Sequence, residues 1–90
     1  MKFMREIEIT DTLDLHSIRP KDVKDVVEEY LYQCAQKGFQ FVRIIHGKGT
    51  GVQKQIVRSI LERSDYVESF EDGPDWGSTA VKMKSEERRE

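Results

Sequence analysis

Phe39-Gln40-Phe41-Val42-Arg43-Ile44-Ile45-His46-Gly47-Lys48-Gly49-Thr50-Gly51 changes character abruptly after His46. The first eight residues are rich in aromatic and β-branched types, at about the length of a central strand. Three glycines then fall within five residues, which lets the backbone take positive φ and approach a ligand closely. A helix follows, with Val52, Ile56, Ile60 and Leu61 on one face, Val57 beside them and Thr50 as the expected N-cap. Strand, glycine loop and helix in that order make a phosphate the natural guest. Helix amides and the helix dipole favour an anion at that point.

Upstream, Pro20 opens an earlier helix whose apolar residues are Val23, Val26, Val27, Tyr30, Leu31 and Cys34. Gly38 stands where a left-handed cap is expected. Before it, Thr12-Leu13-Asp14-Leu15-His16 alternates as a strand, with Leu13 and Leu15 on one side and Asp14 and His16 on the other. Ile7-Glu8-Ile9-Thr10 reads as an arm or edge strand. Downstream, Tyr66-Val67-Glu68-Ser69-Phe70 is a strand, Gly73-Pro74-Asp75-Trp76-Gly77 turns the chain, and Ser78-Thr79-Ala80-Val81-Lys82-Met83 is the last strand.

The order β-α-β-α-β-β predicts an α/β fold, a two-layer sandwich of two helices over a mixed sheet. The short final connection makes the last two strands antiparallel. Residues 1–10 are expected as an N-terminal arm, 11–84 as the domain and 85–90 as a charged tail. Parallel strands end on one edge, so His16 and the loop from His46 to Gly51 should meet there if the first two strands are neighbours.

Composition sets outer limits. Ninety residues exclude a second core, and a mean hydropathy of −0.68 with no long apolar run excludes a membrane span. The single cysteine, Cys34, forbids an internal disulfide and is expected in the core. With no signal-peptide core at the N-terminus, the expected compartment is the cytoplasm. The net charge of −2 argues against a nucleic-acid partner, but its distribution does not. Residues 30–61 carry Lys37, Arg43, Lys48, Lys54 and Arg58 and no carboxylate, while residues 62–75 carry six carboxylates against Arg63 alone. Such asymmetry can build a local positive surface.

Two features carry chemistry. The glycine loop matches neither the Walker phosphate loop nor the dinucleotide fingerprint. Asp14 and His16 are an acid–base pair in which the carboxylate can orient the imidazole or recruit a cation. A zinc site from Asp14, His16 and His46 is stereochemically conceivable but the weaker alternative. Trp76 could stack on a base or cover the core edge.

Leu13-Asp14-Leu15-His16-Ser17 and Val42-Arg43-Ile44-Ile45-His46-Gly47-Lys48-Gly49-Thr50-Gly51 together resemble the small MutS-related (Smr) domain family, with its Leu-Asp-Leu-His-Gly and His-Gly-Lys-Gly signatures. The resemblance extends through Val67-Glu68-Ser69-Phe70 and Thr79-Ala80-Val81. It implies a stand-alone domain similar to the C-terminal domain of translation initiation factor 3, acting as a nuclease that nicks DNA or cleaves RNA, including messages on stalled ribosomes. The family's cleavage pair falls on Asp14 and His16, and its nucleic-acid-binding motif on His46, Gly47, Lys48 and Gly49. Ser17 departs from the usual glycine, and the segment 73–78 holds fewer glycines than the family pattern.

The expected function is thus nucleic-acid binding with phosphodiester cleavage. Asp14 and His16 are the catalytic pair, and Arg43, His46, Gly47, Lys48, Gly49, Thr50 and Gly51 are the phosphate-binding set. On RNA the 2′-hydroxyl can attack without a metal; on DNA an activated water and a divalent cation, Mg or Mn, are expected. The alternatives are a non-catalytic nucleic-acid-binding module and a small enzyme acting on a phosphorylated metabolite.

Overall fold

A computed structural model describes residues 9–47, 51–74 and 77–85. Helix α1 (Pro20–Lys37) has proline at its start, Asp22 in its first turn and Lys37 in its last, so both ends complement the dipole. The anticipated apolar stripe is buried along its length, joined by Ala35. The helix stops at Gly38, whose φ of 78° allows the Gly38 and Phe39 amides to donate to the Ala35 and Cys34 carbonyls. That pair of bonds is a Schellman cap.

The remaining elements are β1 (Thr12–Asp14), β2 (Phe41–Ile45), α2 (Val52–Arg63), β3 (Val67–Asp72) and β4 (Ser78–Met83), in the order foreseen. The sheet runs β1-β2-β4-β3. β1 and β2 are parallel neighbours, and β4 is antiparallel to both β2 and β3. Two right-handed crossovers that step the same way across the sheet put both helices on one face. Leu15, Val42, Ile44, Val81 and Met83 meet Val23, Val27, Leu31, Val57 and Leu61 in a single core. Among the described residues no helix lies over the other sheet face.

Several boundaries shift, each for a local reason. β1 ends at Asp14 because that side chain turns back to cap the amide of His16. Residues 7 and 8 lie outside the described residues; Ile9 and Thr10 form no strand, and Ile9 packs against the core. The N-cap of α2 is Gly51, not Thr50, which lies outside the described residues with Lys48 and Gly49. Val52 is 55% exposed and drops out of the apolar face; Val57, Ile60 and Leu61 are buried, and Ile56 packs against the core beside them. β3 continues past Phe70 to Asp72. Trp76 is also outside the described residues. Among the described residues no helix is long and apolar enough to cross a membrane.

Candidate active site

The parallel pairing of β1 and β2 brings the two motifs to one edge. Leu15 N–H donates to the Ile45 carbonyl at 2.8 Å, so the residues that follow, His16 and His46, leave the sheet side by side. The adjacency expected from the sequence is present.

At that edge Asp14 and His16 are joined twice. Asp14 Oδ1 accepts the His16 backbone N–H at 2.9 Å and lies 2.9 Å from His16 Nδ1. His16 sits in the turn after β1, so this side-chain turn, and not strand alternation, brings the pair together. A carboxylate can only accept, so Nδ1 carries the proton and Nε2 is the basic nitrogen. The imidazole side chain is 75% exposed. The His16 amide, and next its ring, hold the Asp14 carboxyl below the usual carboxylate range. An imidazole oriented by a carboxylate through one nitrogen is built for proton transfer at the other.

Ser17 occupies the same turn without backbone strain, since no non-glycine residue among those described has positive φ. The departure from glycine there is accommodated.

The glycine loop begins and ends in the left-handed region, with φ of 86° at Gly47 and 89° at Gly51. Its start is fixed by the His46 and Gly47 amides, which both donate to the Gly77 carbonyl at 2.9 and 3.0 Å. His46 turns inward and is 5% exposed. Its Nδ1 lies 3.2 Å from the Gly47 carbonyl and its Nε2 2.9 Å from the Thr79 hydroxyl. The carbonyl accepts from Nδ1–H, so Nε2 accepts from Thr79. His46 therefore supports the loop from beneath.

A depression of about 270 Å³ lies at this edge, lined by Pro20, His46, Gly47, Gly51, Gln53 and Lys54 among others. The dyad stands outside its lining. A larger groove, about 430 Å³, runs between the helices past Leu31, Ile56, Ile60 and Tyr66, away from both motifs. The smaller one is the relevant one, because it is lined by both described ends of the glycine loop, Gly47 and Gly51.

Gln53 escaped the sequence reading. Its Nε2 donates to the Ile18 carbonyl at 3.1 Å, tying the first turn of α2 to the segment after His16. No local pattern marks a glutamine for that role.

The charge asymmetry is partly cancelled by the fold. Lys54 and Arg58 both reach Asp72, at 3.0 and 3.2 Å, and Arg58 also lies over the Phe70 ring. Lys54, followed by Arg58, holds the Asp72 carboxyl below its ordinary range. Arg43 stays exposed on the helix-free sheet face. The zinc alternative is not assembled: among the described residues no three His, Cys, Asp or Glu side chains are grouped to hold a metal ion. Cys34 is buried in the core as expected, its thiol pushed up to about 11 by burial.

The Smr domain family model matches residues 13–84, which include both motifs and every strand but the first residue of β1. This chain belongs to the Smr domain family. The Smr domain here is 36% identical over 85 residues to Endonuclease MutS2 of Caldicellulosiruptor bescii, covering 90% of this chain and 11% of that protein. It is 35% identical over 72 residues to Endonuclease MutS2 of Helicobacter pylori, covering 79% of this chain and 9% of that one. The chain thus spans about a tenth of the length of these relatives. The crystal structure of the Smr domain of Thermus thermophilus MutS2 superposes with a TM-score of 0.78 at 32% identity, covering 83% of this chain and 99% of that one. YdaL, a stand-alone small MutS-related protein from Escherichia coli, shares the fold with a TM-score of 0.71 at 24% identity, over 90% of this chain and 71% of YdaL.

Proposed function

We propose that this Smr domain binds nucleic acid and cleaves a phosphodiester bond at the edge where Asp14 and His16 meet the glycine loop. The observation that carries this is the 2.9 Å contact of His16 Nδ1 with Asp14, which leaves Nε2 available for proton transfer beside the loop. The relatives named endonucleases support the same reading.

The start of α2 has glycine as its N-cap, no capping side chain and no acidic residue in its first turn. That end of the helix, with Lys48 and the amides beyond Gly47, would hold a phosphate and stabilise charge developing on it. On RNA, His16 Nε2 takes the proton of the 2′-hydroxyl while its oxygen bonds to the adjacent phosphorus. The bond to the 5′-oxygen breaks, that oxygen takes a proton from water, and a 2′,3′-cyclic phosphate remains. On DNA, His16 would deprotonate water instead, and a Mg or Mn ion would draw on Asp14 and the substrate's own phosphate as ligands. A cytoplasmic setting, with a ribosome-bound message among the candidate substrates, belongs to the same proposal.

The test is cleavage of end-labelled single-stranded RNA and of supercoiled plasmid, each with and without EDTA, beside His16→Ala. Cyclic-phosphate ends that survive EDTA and vanish in the variant are expected for the RNA route. Plasmid nicking stopped by EDTA would assign the DNA route. Equal rates for wild type and His16→Ala would remove His16 from the mechanism. Binding with no turnover on either substrate would leave a non-catalytic nucleic-acid-binding module.

A further inference from the structure

Phe41 is 64% exposed although it lies on a strand flanked on both sides within the sheet. Val42 and Ile44 point into the core, so Phe41, Arg43 and Ile45 project from the face that no helix among the described residues covers. Register extends the row sideways. Lys82 is the direct partner of Phe41, Ala80 and Thr12 flank Arg43, and Ser78 and Asp14 flank Ile45. An exposed aromatic ring is thereby placed between two cations, one two residues along the strand (about 6.7 Å) and one directly across.

We propose that an unpaired nucleic-acid strand lies along β2 on this open face, one base stacked on Phe41 and its phosphates on Arg43 and Lys82. Two observations favour this occupant. The first is charge and stacking: phosphates complement Arg43 and Lys82, and an unpaired base supplies a second ring to stack on Phe41. Lys82 also pairs with Glu68 at 3.5 Å, a half-exposed contact that a phosphate can replace. The facing carboxylate Glu71 lies beyond Ala80 on the outer strand, away from Phe41. The second is continuity. β2 runs from Phe41 to Ile45, whose partner across the sheet is Asp14, so a strand on this path arrives at the Asp14–His16 edge. A duplex keeps its bases paired and cannot offer one to Phe41. The inference rests on the proposed function and adds to it a preference for unpaired substrate.

The probes are fluorescein-labelled twelve-nucleotide oligo(U) and oligo(dT), with a blunt duplex of equal length, followed by fluorescence anisotropy. Phe41→Leu keeps the site apolar but removes the ring, and is expected to weaken binding of the unpaired oligomers about 5- to 150-fold, the range for one lost base stack. Phe41→Tyr is expected to retain wild-type affinity, and duplex binding is expected to be unchanged in both. Lys82→Gln and Arg43→Gln should each reduce the slope of log affinity against log salt by about 0.7. Circular dichroism checks that the variants stay folded. Wild-type affinity in Phe41→Leu would overturn the platform and leave the proposed function standing. Failure of the wild type to bind any oligomer or duplex would overturn both. A dimer on sedimentation that Phe41→Leu dissolves would assign the face to a second copy of the chain and overturn the proposal.

Discussion

His46 Nε2 lies 2.9 Å from the Thr79 hydroxyl, a buried contact between residues 33 positions apart. It fastens the root of the glycine loop to β4, and the Gly77 carbonyl reinforces it from the backbone. Thr79→Val keeps the side-chain shape but leaves the buried ring nitrogen without its partner. A loss of about 1–3 kcal/mol is expected in urea unfolding. An unchanged midpoint would show that the ring nitrogen is satisfied another way.

Gly47 and Gly51 have open space around a Cβ, so alanine at either position meets no neighbour among the described residues. The expected cost comes from positive φ alone, about 1–2 kcal/mol for each. Asparagine should cost less than alanine at Gly51, because its short polar side chain tolerates the left-handed region. Gly73 is a contrast: its φ is not the obstacle, and a Cβ there would run into the buried Ser78 side chain. Thermal unfolding of Gly47→Ala, Gly51→Ala, Gly51→Asn and Gly73→Ala tests the ranking.

The Asp14 carboxyl is held below its ordinary value, first by the His16 amide and then by the ring. A depressed value in the folded state contributes stability above the unfolded value, about 3.9, and that contribution is lost as pH falls through the folded value. Wild type should therefore be more stable than Asp14→Asn near neutrality, with the gap closing below about pH 4. In His16→Ala the backbone amide stays, so carbon-detected NMR titration should find the Asp14 value still depressed, but less than in the wild type.

Cys34 and Tyr30 titrate above their ordinary ranges, both chiefly because burial disfavours the charged forms. Here the sign reverses. The unfolded thiol ionises first, so stability is present below pH 9.0 and falls as pH rises towards about 11. Urea midpoints should drop between these values, with a shallower slope in Cys34→Ala. Native Cys34 should react with a disulfide reagent far more slowly than the urea-unfolded chain, and equal rates would place the thiol at the surface.

Much of the architecture was legible because it is written in local periodicity. The stripe from Val23 to Cys34, the cap at Gly38 and the span of β4 were each visible in consecutive residues. Asp14 and His16 were legible as a pair because they stand two positions apart, with Leu15 alone between them. Their geometry was not. Alternation along a strand suggested a shared face, whereas the Asp14 side chain folds back on the His16 amide and ends β1. Val52 shows the limit of periodicity at an element's end, where the helix has begun but the core has not.

The order of elements, the apolar faces and the two motifs are written in the chain locally, because each depends on neighbours within a few residues. Long-range packing places β4 between β2 and β3, and with it Thr79 under His46, the Gly77 carbonyl against the loop and Lys82 beside Phe41. Those contacts follow from strand order, which is set by packing both helices against one face of the sheet. That packing joins residues far apart in the chain, so no local pattern could announce that His46 faces inward while Phe41 faces solvent.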